Sequence, residues 1–320
     1  MKKVAILEIY PNKKLDKNKV IDAHLRNSIL LEDILDADLL CIENEYAQAL
    51  KKSYDVLILP YASFYAPFKL IAKLCENNPD ARKIIISNEY NMCQTIGSFK
   101  PPYEVIANYE KCQIKKEHVN AFHFLNLNLL LTRPPNVLSN KKYDCLYYST
   151  FRPNRKEYMK KYLREDIWLS TSSKNFKKFL NEGCTSKLTK KLDWQKRKET
   201  LNLFRYSLYL EDDFTHTTFN NLANRWYEAG FCNCVVFFDA NCKNTILKSE
   251  IGDYWSEIEF YLVNSYKELQ NKIKICNENF AHHLETQKSW RKNEMNLREE
   301  MIDNLYEIIH LEKRKKHGRQ

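Results

Sequence analysis

The stretch Asp144–Leu163, DCLYYSTFRPNRKEYMKKYL, decides how this chain folds. An apolar, aromatic run ends in Ser149 and Thr150. Arg152 and Arg155 follow at once, and then a segment with apolar residues at helical spacing. This reads as a buried strand that feeds a helix, the unit from which parallel α/β sheets are built. Such a turn aims backbone N–H groups and the positive end of the helix at its mouth, which favours an anion there. Two guanidiniums and a threonine hydroxyl suit phosphate oxygens. The plainer reading is a solvated turn with surface arginines, and the stretch alone leaves the two about equal.

The same alternation extends in both directions. Upstream, KVAILEIY, DADLLCIEN, DVLILP and ARKIIISNEY read as strands, with VIDAHLRNSILLEDIL, EYAQALKKS and FKLIAKLCENNP as helices between them. EVIANYE and FHFLNLNLLL are further apolar segments. TRPPNVLSNKK, with two prolines and then polar residues and lysines, interrupts the pattern as a linker. Downstream, DIWLSTS, YSLYLED and CVVFFD read as strands. KNFKKFLNEG (closed by Gly183), WQKRKETLNLF and NLANRWYEAGF read as helices. From SYKELQNKI onward the chain reads as helical. The expectation is α/β, two parallel units with a helical C-terminus.

Composition bounds the function. The 320 residues carry a formal net charge of +10, which favours an anionic partner such as nucleic acid or a phosphorylated ligand. Only five glycines beside many Lys, Asn, Ile and Tyr suggest a gene rich in A and T, which inflates lysine and discounts that signal. The apolar runs fall short of the about 20 residues a membrane span needs, and no signal-peptide pattern opens the chain. A cytoplasmic protein with reduced thiols is expected. Its ten cysteines form no CxxC pair, so they read as core residues rather than metal ligands, and adjacent His282 and His283 point to different helix faces.

In parallel sheets ligands sit beyond the carboxyl ends of the strands, so the residues there matter most. In NRWYEAGF, Arg225 and Glu228 lie three apart on one helix face. They could serve a phosphate and the ribose hydroxyls, although an ordinary intrahelical ion pair is the simpler reading. Glu89 follows the strand KIIIS, where a partly desolvated carboxylate can act as a general base. A surface acid or a helix cap is the plainer reading there. Glu211, Asp212 and Asp213 end another strand, and helix capping or solvation outweighs metal binding for them.

The order of these stations resembles the phage DNA β-glucosyltransferases of the two-domain GT-B fold. DCLYYSTFRPNR is similar to that family's strand ending in Ser-Phe-Arg with a second arginine close behind. NRWYEAGFCNCVVFFD is similar to its Arg-x-x-Glu helix followed by an apolar strand ending in Asp. The C-terminal half is covered well and the N-terminal half mainly in layout. The resemblance implies two Rossmann-like domains facing a central cleft, with residues 1–132 as an acceptor (DNA) domain and 133–142 as linker. Residues 143–280 would form the nucleotide-sugar domain, and 281–320 a helical segment packing back toward the N-terminal domain. It also implies a UDP-sugar donor, UDP-glucose first, with Mg2+ or Mn2+ as an aid, and double-stranded DNA carrying hydroxymethylated bases as acceptor. A monomer is expected. By position, Thr150, Arg152, Arg155 and Arg225 would hold the nucleotide diphosphate, Glu228 the ribose, and Glu89 would be the base of an inverting displacement. This chain departs from the family in three places. Its first two arginines are one residue closer, Glu stands for Asp at the base, and YPNKKLDKNK lacks the family's glycine. The alternatives are a GT-B enzyme with a glycan, lipid or protein acceptor, and a DNA-binding protein without catalysis.

Overall fold

A computed structural model describes residues 3–8, 23–59, 68–87, 102–108, 119–132, 140–189, 197–218, 221–292 and 294–309. The chain divides into two compact units, one of Met1–Leu131 with Asn296–Gln320 and the other of Thr132–Met295.

The first unit holds a six-stranded parallel sheet. Its strands are β1 (Val4–Leu7), β2 (Asp38–Leu40), β3 (Val56–Leu59), β4 (Arg82–Ser87), β5 (Tyr103–Ala107) and β6 (Val119–Phe124), in the order β2-β1-β3-β4-β5-β6. The runs VAIL and VLIL are buried at every position, as strands covered on both faces must be. At the sheet edge β6 instead alternates half-buried and exposed residues. The apolar run FHFLNLNLLL is split between this strand and a helical turn, Leu127–Leu130. The break falls at Asn126, whose side-chain oxygen accepts from Leu129 N at 3.1 Å and starts the turn.

The second unit repeats the plan with β7 (Tyr143–Tyr148), β8 (Ile167–Ser170), β9 (Lys187–Thr189), β10 (Phe204–Tyr209), β11 (Val235–Asp239) and β12 (Leu262–Val263), in the order β12-β11-β10-β7-β8-β9. All its pairings are parallel. The two shortest strands, β9 and β12, lie at the edges and carry too few residues to show a periodicity. Helices connect the strands. Ser172 caps the helix Ser173–Asn181 by accepting from Asn175 N at 3.2 Å, and Gly183 follows that helix with φ +83°, a conformation glycine adopts at no cost.

Residues 281–320 are shared between the units. The helix Phe280–Trp290 stays with the second, where buried Gln287 exchanges hydrogen bonds of 2.8 and 2.9 Å with the backbone of Val236 on β11. The helix Glu294–Ile309 belongs mostly to the first. Tyr306 donates to the carbonyl of Ile34, and Arg82, paired with Glu104, donates to the carbonyl of Ile308 at 2.7 Å. Among the described residues no helix is long and apolar enough to cross a membrane.

Candidate functional site

The second sheet changes direction between β7 and β10, because β7 leads outward through β8 and β9 while β10 leads the other way through β11 and β12. A crevice opens at the carboxyl ends of two such strands, and ligands of parallel α/β proteins bind there. The residues that follow β7 and β10 are Ser149–Arg155 and Leu210–Asp213.

Two guanidiniums converge there on one carboxylate. Arg155 pairs through Nη2 with Oε2 of Glu211, and Arg225 Nη2 lies 3.2 Å from Oε1 of the same residue. Arg155 Nε also donates to Asp212 Oδ2 at 3.1 Å, and Arg225 Nη1 donates to the carbonyl of Leu210 at 2.7 Å. Side-chain exposure is 4% for Arg155, 3% for Glu211 and 13% for Arg225, so the three charges are largely out of water. Burial is the largest influence and works against both guanidinium charges, but Glu211 together with the nearby tyrosines, and Asp212 in the case of Arg155, outweighs it and both pKa values are raised. Asp212 is likewise opposed by burial. Hydrogen bonding from Thr215 N and the charge of Arg155 hold its carboxyl below the usual range.

Tyrosines fix the second arginine in place. Arg225 lies over the rings of Tyr147 and Tyr209, at 5.6 and 5.8 Å from their centres. Its helix, Asn224–Phe231, is held at its start by the same two strands. Tyr148 donates to the carbonyl of Arg225 at 3.0 Å, and Tyr209 accepts from Ala223 N at 2.9 Å.

The other residues singled out from sequence fall as follows. Arg152 is exposed and precedes the 3-10 turn Pro153–Arg155, and Thr150 is exposed beside it. Among the described residues no ion pair engages Arg152. Glu228 is buried on the helix of Arg225. The intrahelical pair suggested by the three-residue spacing does not form, because Arg225 turns to Glu211 instead. Glu89 lies outside the described residues.

Capping accounts for Asp212, whose Oδ1 accepts from Thr215 N and Oγ1, each at 3.0 Å. It does not account for Glu211, which sequence reasoning set aside as capping or solvation. No local signal in the sequence marks it, because its partners Arg155 and Arg225 lie on two other elements. Asp239, at the end of β11, is fully buried and serves structure. It takes Lys161 Nζ at 3.0 Å, the Tyr162 hydroxyl at 2.5 Å and Asn241 N at 3.0 Å.

Among the described residues no three His, Cys, Asp or Glu side chains gather as a metal cage requires. Glu211 and Asp212 are already engaged by arginine, so these residues do not fit a dedicated Mg2+ or Mn2+ site. The described cysteines are free thiols, and all but half-buried Cys75 are buried.

Two six-stranded parallel sheets with connecting helices and a helical C-terminus define the GT-B fold class. No family model and no curated protein matches the sequence. Solved structures do match over nearly the whole length. T4 phage β-glucosyltransferase with its UDP-glucose substrate superposes with a TM-score of 0.68 at 14% identity, covering 97% of this chain and 100% of that one. The same phage enzyme with UDP and Mn2+ gives 0.67 at 15% identity over the same shares. An α-glucosyltransferase with UDP and a 13-mer DNA containing an HMU base gives 0.57 at 11% identity, covering 96% of this chain and 99% of that one. At these identities the likeness is one of fold.

Proposed function

We propose that this protein is a glycosyltransferase that moves a sugar, glucose first among candidates, from a UDP-sugar to the hydroxymethyl group of a modified pyrimidine in DNA. The observation that carries the reading is the convergence of Arg155 and Arg225 on Glu211 at the direction change of the second sheet. Guanidiniums held at such a point suit a diphosphate. The solved structures of the same fold that hold UDP, UDP-glucose or DNA support the donor and the acceptor class. The charge of +10 suits a polyanionic acceptor.

In this reading Arg152, Arg155 and Arg225 bind the diphosphate and stabilise the negative charge that grows on it as the sugar leaves. Glu228 orients the ribose. Glu89 takes the proton of the acceptor hydroxyl while its oxygen bonds to the anomeric carbon and the bond to UDP breaks. One displacement of this kind inverts the configuration at that carbon. A base within a duplex must leave the stack to reach the sugar. No step runs through a metal ion.

The test is a transfer screen. Labelled UDP-sugars are incubated with DNA containing hydroxymethylcytosine, hydroxymethyluracil or neither. Label on a hydroxymethylated DNA is the expected result. Label on none of them, with UDP binding intact, would move the acceptor to another class of molecule. Absence of UDP binding would remove the enzyme reading altogether.

A further inference from the structure

Glu211 is the least expected member of the site, because a carboxylate lies where an anionic ligand is to be held. It lies two residues beyond the end of β10 and is 2% exposed. Each of its two oxygens is ion-paired with one arginine, Oε2 with Arg155 and Oε1 with Arg225 at 3.2 Å, although Oε1 accepts no hydrogen bond among the described residues. Resting on the donor-site reading above, we infer that Glu211 is a positioning residue: it splints Arg155 and Arg225 from behind so that both present their remaining N–H groups to the diphosphate.

Three observations favour a splint over a competing anion that must swing away. First, Glu211 is buried and its neighbours are pinned on both sides. The carbonyl of Leu210 is held by Arg225 Nη1, and Asp212 is held by Thr215 and Arg155. A carboxylate fixed in this way has little freedom to leave. Second, the arginines are not exhausted. A guanidinium carries five N–H donors. Arg155 donates through Nε and is ion-paired through Nη2, and Arg225 donates through Nη1 and is ion-paired through Nη2. Each therefore keeps donors for a ligand. Third, two guanidiniums brought together repel each other, and a shared carboxylate removes that cost. Glu211 and Asp212 balance these two cations, and exposed Arg152 adds a further cation at the same turn.

Calorimetry with UDP and with uridine tests the inference, because only UDP has phosphates for the arginines to hold. The wild type should prefer UDP strongly. Glu211→Gln keeps the size of the side chain and removes its charge. It should weaken UDP binding about tenfold, roughly the worth of one charge-assisted hydrogen bond, and change uridine binding much less. Tighter UDP binding by Glu211→Gln would mean that the carboxylate competes with the ligand, and the inference would be wrong. An equal loss for UDP and uridine would reduce Glu211 to a structural role and overturn it as well. A second variant, Glu211→Asp, keeps the charge but shortens the reach by a methylene. It should retain more of the UDP preference than Glu211→Gln, and if one variant folds poorly the other is still read against the wild type. A wild type that binds neither compound would overturn the donor site itself, a result distinct from any change between variants.

Discussion

The two sheets reverse direction in the same manner but place different chemistry at the reversal. In the first sheet the change falls between β1 and β3. Glu8 follows β1 there, buried, with its carboxylate receiving the Ser28 hydroxyl and its carbonyl receiving the Tyr46 hydroxyl at 2.8 Å. In the second sheet the change falls between β7 and β10, and the strand ends carry two arginines around a carboxylate. One architecture thus places a carboxylate that accepts a serine hydroxyl at one reversal and a compact ion cluster at the other. The fold supplies the place, and the residues after the strands decide what that place can bind.

The contrast predicts a large difference in stability. Arg225→Ala leaves Glu211 and Asp212 facing Arg155 alone, with an uncompensated charge in a buried setting. Breaking a buried ion pair from one side costs about 3–5 kcal/mol. Chemical unfolding should register a loss of that order. A loss below about 1 kcal/mol would show that water enters the cluster freely, and the contrast between the two reversals would dissolve.

A further carboxylate sharpens the comparison, because its compensation is incomplete. Glu294 accepts from Trp226 Nε1 at 2.9 Å, on the helix that also carries Arg225, and Arg291 Nε stands 4.0 Å away. Burial pushes the Glu294 carboxyl up to about 7, against the pull of Arg291 and with a push from Glu250. A carboxyl whose pKa is raised by folding is held protonated in the folded state and ionises earlier in the unfolded one. Between the ordinary value of 4.5 and about 7 the unfolded chain therefore binds fewer protons, and stability falls as pH rises. The full effect is roughly 3 kcal/mol at most. Glu294→Gln should flatten the wild-type decline between pH 5 and pH 7 in urea unfolding. An identical slope in both proteins would place the titration elsewhere.

Ser28→Ala probes the hydroxyl side. It removes one donor to Glu8, which keeps the rest of its surroundings, so the expected cost is about 1–3 kcal/mol and below that of Arg225→Ala. If the order of the two losses reversed, the Glu8 site would be the more tightly bound of the two.

Much of this was legible in the sequence. The apolar runs VAIL, VLIL and VVFF pointed to strands covered on both faces. The turn after β7 announced itself through Arg152 and Arg155. What escaped notice depended on side-chain partners across the sheet. The spacing of Arg225 and Glu228 pointed to each other, and nothing local could reveal that Arg225 bonds to Glu211, fourteen positions earlier on another element. Nor could spacing separate Arg152 from Arg155. A 3-10 turn at Pro153–Arg155 leaves the first exposed and carries the second inward, and a turn of that length has no periodic signature.

That separation of neighbouring arginines gives the prediction with the smallest effect on stability. Arg152 is exposed and joins no ion pair among the described residues, so Arg152→Ala should change unfolding free energy by less than about 0.5 kcal/mol. Under the proposed function it should nonetheless weaken UDP binding, because Arg152 adds a further cation at the same turn. Arg155→Ala should lower stability and binding together, since Arg155 bears on both carboxylates. The informative measurement is therefore the pair: calorimetry with UDP and chemical unfolding on both variants. If Arg152→Ala binds UDP as the wild type does, the ligand does not approach from the exposed side of this turn. The diphosphate would then have to be held by the buried arginines alone.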